Sequence, residues 1–326
     1  MYAGAIPPLP QAAGLIFVGF TVGIAAAFFG VGGAFLVTPA LNILGFPMVY
    51  AIGTDLAHMT GKSVIAALRH RRMGHVDLKA GGLLLVGTLP GVKLGALSIM
   101  RLESLGATEN VVRLVYIVLL VSLGSLILRE SLREANGSAW DRTNAVLWRR
   151  FRLKPLVSLK TSGIEGVSLW SIVLLGFLTG FLASFLGVGG GFIRMPALIY
   201  LIGMPTKIAI GTDLLEVLFS GGYGTYLYAL QGKVDVIAAL IMLAGASVGS
   251  HLGSLATRHV EPGLIRLYFG LMIIGTAAAV ASKQAGQARL SIAVLIVLGT
   301  FISGVILYKL AQGLRAESKL PQKESE

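Results

Sequence analysis

Eight residues of this chain return almost unchanged 157 positions later: Phe28-Phe29-Gly30-Val31-Gly32-Gly33-Ala34-Phe35 reappears as Phe185-Leu186-Gly187-Val188-Gly189-Gly190-Gly191-Phe192. Pro39-Ala40-Leu41 recurs at the same spacing as Pro196-Ala197-Leu198. One inserted residue then moves the offset to 158, where Gly45, Pro47, Gly53-Thr54-Asp55, Gly74-x-Val76-Asp77 and Gly91-x-x-x-Gly95 match Gly203, Pro205, Gly211-Thr212-Asp213, Gly232-x-Val234-Asp235 and Gly249-x-x-x-Gly253. Arg113-Leu114 finds Arg266-Leu267 after a shortened loop. An offset held over so long a stretch is an internal duplication. Whatever the chain folds into is built twice from one unit.

The solvent of that unit is lipid. Of 326 residues, 55% are hydrophobic and only 13% charged, far from the balance of a water-soluble domain. The apolar residues fall into runs of about 16–23, the length a helix needs to cross about 30 Å of hydrocarbon. A transmembrane barrel would instead show alternating polarity over about ten residues, and runs such as 114–128 are apolar on every face. With no cysteine, the chain has no disulfides, thiolate nucleophiles or Cys-ligated metal sites. The N-terminal MYAGAIPPLPQAAGL lacks the basic segment of a cleavable signal, so the first run is read as a retained helix. The formal charge of +12 sits in loops beside apolar runs, a pattern of membrane topology and not of nucleic-acid binding.

Each half reads as a run entering a glycine break (14–29, 168–186), a short piece leaving it (34–46, 191–203) and three longer helices (49–68, 80–99, 111–128; 207–229, 235–256, 264–281). The division is a first transmembrane repeat at 1–128, a basic cytoplasmic connection at 129–166, a second repeat at 167–281, and at 282–326 an unpaired helix (about 288–309) with a cytoplasmic tail. Arg69-His70-Arg71-Arg72 and the tail cations Lys309, Arg315, Lys319 and Lys323 fall on the same side as the basic connection, provided that each break separates two passes. Five passes per half is an odd number, and tandem repeats with an odd number of passes are inverted relative to one another. If each break only bends one helix, the halves have four passes and are parallel. The expected fold is thus an all-α polytopic membrane protein of two inverted repeats with glycine-broken helices and one extra C-terminal helix, its N-terminus outside.

The breaks are the first functional candidates. Freed backbone N–H and C=O groups are tolerated at membrane depth only where they line a cavity or are buried in protein. A half-helix starting near Gly32 or Gly189 points amide donors and a positive dipole end at the break, suited to an oxyanion. A hinge or close packing are the alternatives. Gly30, Gly32, Gly33, Gly187, Gly189 and Gly190 are therefore candidate substrate contacts. Arg194, just past the second break where the first repeat has Val37, joins them unless its side chain snorkels to the interface.

Ionisable residues inside apolar spans are costly and mark function by default. Asp55, His58 and Lys62 follow i, i+3, i+7 spacing and share one helix face, while their equivalents are Asp213, Glu216 and Ser220. Lys62 is read as a substrate contact; Asp55, His58, Asp213 and Glu216 are read as ion-coupling groups. The two aspartates could equally cap the starts of their own helices. Lys93 and His251 form a further equivalent basic pair, and Tyr223, Tyr226 and Tyr228 could line a path. Gly61-Lys62-Ser63 imitates the end of a phosphate loop, but the glycine required five positions earlier is Leu56. Nothing forms a hydrolytic triad, a zinc motif or a haem ligand set, so neither an enzyme, nor a metal, nor a cofactor is expected.

The glycine breaks with their trailing prolines, together with both Gly-Thr-Asp motifs, make the sequence similar to the TauE/SafE family of sulfite exporters. The resemblance covers both halves and leaves out the connection and the tail. It implies a polytopic inner-membrane protein that moves small sulfur-containing or organic anions, such as sulfite or sulfoacetate, driven by an ion gradient. The partners it implies are a small anionic substrate, the lipid bilayer and a coupling proton or sodium ion. The basic residues Lys62, Lys93 and Arg194 come from this chain and not from the family motif. The resulting reading is a secondary transporter with its anion held between the two breaks, the rivals being a passive anion channel and a membrane-embedded enzyme or assembly subunit.

Overall fold

A computed structural model describes residues 7–29, 34–135, 153–257, 260 and 262–317. Eleven helices form among them: α1 Leu9–Phe29, α2 Ala34–Ile43, α3 Met48–Arg72, α4 Leu78–Ser104, α5 Thr108–Ala135, α6 Leu169–Leu186, α7 Gly191–Ala197, α8 Thr206–Leu230, α9 Val236–Ala256, α10 Pro262–Gln284 and α11 Ala288–Glu317. A π-helical turn, Leu198–Ile202, extends α7. Seven helices contain spans long and apolar enough to cross a membrane: α1, α4, α5, α6, α9, α10 and α11. The protein is a multi-pass membrane protein. α3 and α8 are 25 residues each but less apolar, because they carry the ionisable groups.

The helices assemble by exchange between the repeats. α1 packs along α9 and α6 packs along α4, so the first helix of each half lies on the fourth helix of the other; α3 lies on α8, and α5 on α10. Glycine permits the exchanged pairs. Gly19 and Gly23 face the backbone of Met242 and Ala246, while Gly249 and Gly253 face Phe20 and Ile24. In the other pair Gly87, Gly91 and Gly95 face Val173, Phe177 and Phe181. A side chain at these sites would enter a carbonyl of the neighbouring helix, so helix axes approach as closely as small residues allow. Residue numbers rise together in both contacts, so each exchanged pair runs parallel. They run oppositely in the central pair, where Gly53 meets Tyr228 and Gly211 meets His70, and in the outer pair, where Gly124 meets Ile274 and Gly270 meets Leu128.

The matched motifs fasten this exchange. Asp77 and Asp235, from the two Gly-x-Val-Asp motifs, cap α4 and α9 by accepting from the N–H of Ala80 (3.0 Å) and Ala238 (2.9 Å). Their own N–H groups donate across the duplication, Asp77 to Thr212 Oγ1 and Asp235 to Thr54 Oγ1, both at 3.0 Å. Each Gly-Thr-Asp thus docks on the opposite repeat's turn. Side-chain capping satisfies one orphan donor of a helix start and contributes about 1 kcal/mol.

At the end of the predicted connection, and two residues beyond it, the chain forms a hairpin, Leu156–Leu159 paired antiparallel with Ile164–Ser168, which departs from a purely helical fold. Leu159 buries completely against a cluster with Leu84, Leu198 and Ile202. Asp77 Oδ2 accepts from Ser162 Oγ at 2.6 Å and from its N–H at 3.2 Å. α11, the predicted helix without a partner, packs on α10, α1 and α9.

Replacing Gly91, which abuts the Phe177 carbonyl, with valine is expected to cost at least about 1–3 kcal/mol by overpacking. Gly82→Ala, where nothing lies within 4 Å of the added methyl, should be neutral or gain up to about 1 kcal/mol of helix propensity. Thermal unfolding of the purified variants checks this, and equal behaviour would contradict the close-packed pairs.

Candidate functional site

The second glycine break is buried and its geometry is explicit. Gly187, Gly189 and Gly190 all adopt positive φ, at 78°, 61° and 70°, a region that other residues enter only at a cost. Gly187 ends α6 and Gly190 begins α7. The carbonyls left open by the end of α6 are met by neighbours: Ser184 O accepts from the Tyr228 hydroxyl and Leu186 O from the Tyr116 hydroxyl, both at 2.7 Å. Both tyrosines are fully buried. Of the three tyrosines noted from the sequence, Tyr228 therefore caps a helix end, and Tyr116 was missed because nothing in its apolar surroundings marks it. The residues of the first break, Gly30, Gly32 and Gly33, lie outside the described residues. Its flank is present: Phe35 of α2 and its repeat equivalent Phe192 of α7 meet with ring centroids 5.9 Å apart, so the two short helices touch.

Behind the second break stands a charged group. Arg194 is 0% exposed, which excludes snorkelling. Its Nε donates to Asp213 Oδ1 at 2.7 Å, its Nη2 pairs with Glu216 Oε2, and Nη2 also reaches Gly189 O at 3.3 Å. Ser220 Oγ donates to the same Glu216 oxygen at 3.2 Å. One cation against two carboxylates leaves one negative charge in excess. Two buried side-chain atoms of this group lack a hydrogen-bond partner among the described residues, Arg194 Nη1 and Glu216 Oε1. Thr88 of α4 faces Glu216, yet its hydroxyl proton is spent on the Leu84 and Gly176 carbonyls.

The first half gathers a different set. Asp55 is fully buried and accepts from the N–H and hydroxyl of Thr38 in α2, at 3.1 and 2.9 Å. His58, 1% exposed, holds Nδ1 at 3.8 Å from Asp55 Oδ1, and neither of its ring nitrogens has a hydrogen-bond partner among the described residues. Lys62 is half-buried one turn further along and interacts electrostatically with Asp55. The two sets share a plan. Each aspartate turns toward the short helix of its own half, Asp55 to Thr38 and Asp213 to Arg194 and Gly191.

Capping is excluded for both aspartates. α3 begins at Met48 behind Pro47 and α8 at Thr206 behind Pro205, well before either residue. Lys93 and His251 point outward and join neither set. Each stands two positions after a packing glycine, Gly91 or Gly249, hence on the opposite face of its helix.

Removing Arg194 would leave two carboxylates buried without a counter-charge. Arg194→Met is therefore expected to lose about 3–5 kcal/mol. Glu216→Gln removes the excess charge and should lose much less. Thermal unfolding in lipid nanodiscs ranks the two, and an Arg194→Met variant as stable as Glu216→Gln would contradict the ion-paired group.

The model of the family described as Sulfite exporter TauE/SafE matches residues 15–280. Among curated proteins, the chain is similar to a "Probable membrane transporter protein" of Xylella fastidiosa, 32% identical over 79% of this chain and 90% of that protein. It is also similar to the "Probable membrane transporter protein YunE" of Bacillus subtilis, 26% identical over 80% of this chain and 93% of that one. A third relative, the "Probable membrane transporter protein MJ0441" of Methanocaldococcus jannaschii, is 28% identical over 78% of this chain and 89% of its own length. No solved structure matches.

Proposed function

The chain belongs to the sulfite exporter TauE/SafE family of membrane transporters, and on that premise we propose that it is a secondary active transporter carrying a small anion across the cytoplasmic membrane. The observation that carries the reading is the pair of buried charged sets, one per repeat, gathered at mid-helix beside the short helices α2 and α7. Ion pairs at that depth are expensive to assemble and mark a functional site by default. The substrate is sulfite, sulfoacetate or a related organosulfur or carboxylic anion; Lys62, Arg194 and the backbone of the two breaks receive it. Asp55, His58, Asp213 and Glu216 couple its movement to an ion gradient. Conversion of substrate forms no part of this function.

Alternating access fits two repeats in inverted topology. The support is directional. α1 runs with α9, α9 turns back from α8, and α8 opposes α3, so α1 and α3 share a direction and α2 returns between them. α4 then opposes α3, and α6 runs with α4, so α6 points opposite to α1. In that arrangement Arg69, Arg71, Arg72, Lys79, Lys160 and Arg315 gather on one side, which the positive-inside rule makes cytoplasmic, with the N-terminus outside.

Reconstituted in proteoliposomes, the protein is expected to give saturable, counter-transport-competent flux of sulfite or sulfoacetate, driven by an imposed pH gradient. Flux indifferent to pH but driven by sodium would assign the coupling to sodium, and flux without saturation or counter-transport would indicate a channel. Lys62→Ala is expected to weaken anion binding at least about tenfold, corresponding to about 1.4 kcal/mol. Unchanged affinity would remove that residue from the site.

A further inference from the structure

The group around Arg194 already contains an anion. The Glu216 carboxylate occupies Nη2 of a guanidinium whose adjoining Nη1 is buried and has no hydrogen-bond partner among the described residues, whereas Asp213 holds the other end through Nε. A guanidinium offers a planar fork to two oxygens at once. Any substrate carboxylate or sulfonate engaging the Nη1–Nη2 edge must therefore take the place of Glu216 and leaves Asp213 where it is.

Charge decides what such an exchange requires. Adding a monovalent anion to a buried group already one negative charge in excess would place two excess charges in a low-dielectric interior, where each costs several kcal/mol. If Glu216 takes up one proton as the anion arrives, the excess remains at one. The displaced carboxyl also gains a partner. Among the described residues its Oε1 accepts no hydrogen bond, and Thr88 Oγ1, which faces Glu216 with its own proton directed to carbonyls, has a lone pair free to accept an O–H.

We propose that Glu216 is an internal stand-in for the substrate, exchanging for the carboxylate or sulfonate head of an organic anion on Arg194 with uptake of one proton per anion. This rests on the transport reading above and adds the identity of the proton carrier and the stoichiometry. The proton ends on the Glu216 carboxyl, the guanidinium stays charged throughout, and no bond to the anion is made or broken. The surroundings of Glu216 leave it as the exchanging group. α7 contributes Arg194, and α8 itself contributes Asp213 and Ser220. α4 contributes Thr88, its Lys93 pointing outward, and α6 has no acidic or basic side chain. The π-helical turn carries only the exposed Tyr200. α3 carries Asp55, His58 and Lys62, which form their own electrostatic group, and Arg69 to Arg72 at its far end.

Methanesulfonate is the appropriate probe, because it stays monovalent over the whole working pH range. Wild-type protein in nanodiscs, titrated with methanesulfonate in weakly buffered solution, should take up one proton per anion bound, and its Kd should rise about tenfold per pH unit once Glu216 is ionised. Glu216→Gln, its fold verified by thermal unfolding, should bind with no proton uptake and a flat pH profile. Binding to wild type without proton uptake overturns the inference, as does a folded Glu216→Gln variant that keeps the wild-type uptake. If that variant fails to fold, the wild-type proton count decides alone. No binding of methanesulfonate at any pH also overturns it, while the transport reading is judged separately by the flux of sulfite and sulfoacetate.

Discussion

A helix that stops inside a bilayer leaves its last carbonyls where lipid offers no donor, and the rest of this structure is organised around meeting that demand. The end of α6 is answered from two directions, by Tyr228 of α8 and Tyr116 of α5. Those hydroxyls reach it only because the helices that carry them converge on the break. Convergence in turn depends on the glycine-lined contacts of α1 with α9 and α4 with α6, which leave α3 and α8 in the middle with the short helices. The break, the exchange of helices and the central position of the ionisable residues are one arrangement.

Within that frame the duplication supplies a common scaffold and the substitutions supply the chemistry. Where the second half has Arg194, Glu216 and Ser220, the first has Val37, His58 and Lys62. The retained Asp55 and Asp213 have the same task in both, tying a long helix to a short one. The second half carries an excess negative charge fixed to a guanidinium, and the first carries, beside a lysine, an imidazole with neither nitrogen hydrogen-bonded among the described residues. Two unlike sets on one plan suit the proposed transport of an anion together with a coupling ion.

The sequence disclosed the elements more readily than their partners. The runs 14–29, 80–99 and 235–256 anticipated α1, α4 and α9 because hydrophobic length is a local property. Helix pairing is not local, so the exchange of first and fourth helices could not be read from glycine spacing, although Gly91, Gly95, Gly249 and Gly253 line the contacts. Asp55 and Asp213 were visible as costly residues, but their alternatives stayed open until the start of each helix was fixed at Met48 and Thr206. The cross-repeat bonds of Thr54 and Thr212 stood inside a recognised motif without any sign of where they led. Lys93 and His251 looked equivalent to the site cations because linear position does not report which face of a helix points outward.

The central claim is that the two halves face each other upside down across one membrane. Met73 and Gln231 occupy equivalent turns, after α3 and after α8, and both are exposed. Because the chain contains no cysteine, Met73→Cys and Gln231→Cys each introduce a single thiol. A membrane-impermeant maleimide applied to intact cells should label Gln231→Cys at once and Met73→Cys only after permeabilisation. Labelling of both from the same side would contradict the account.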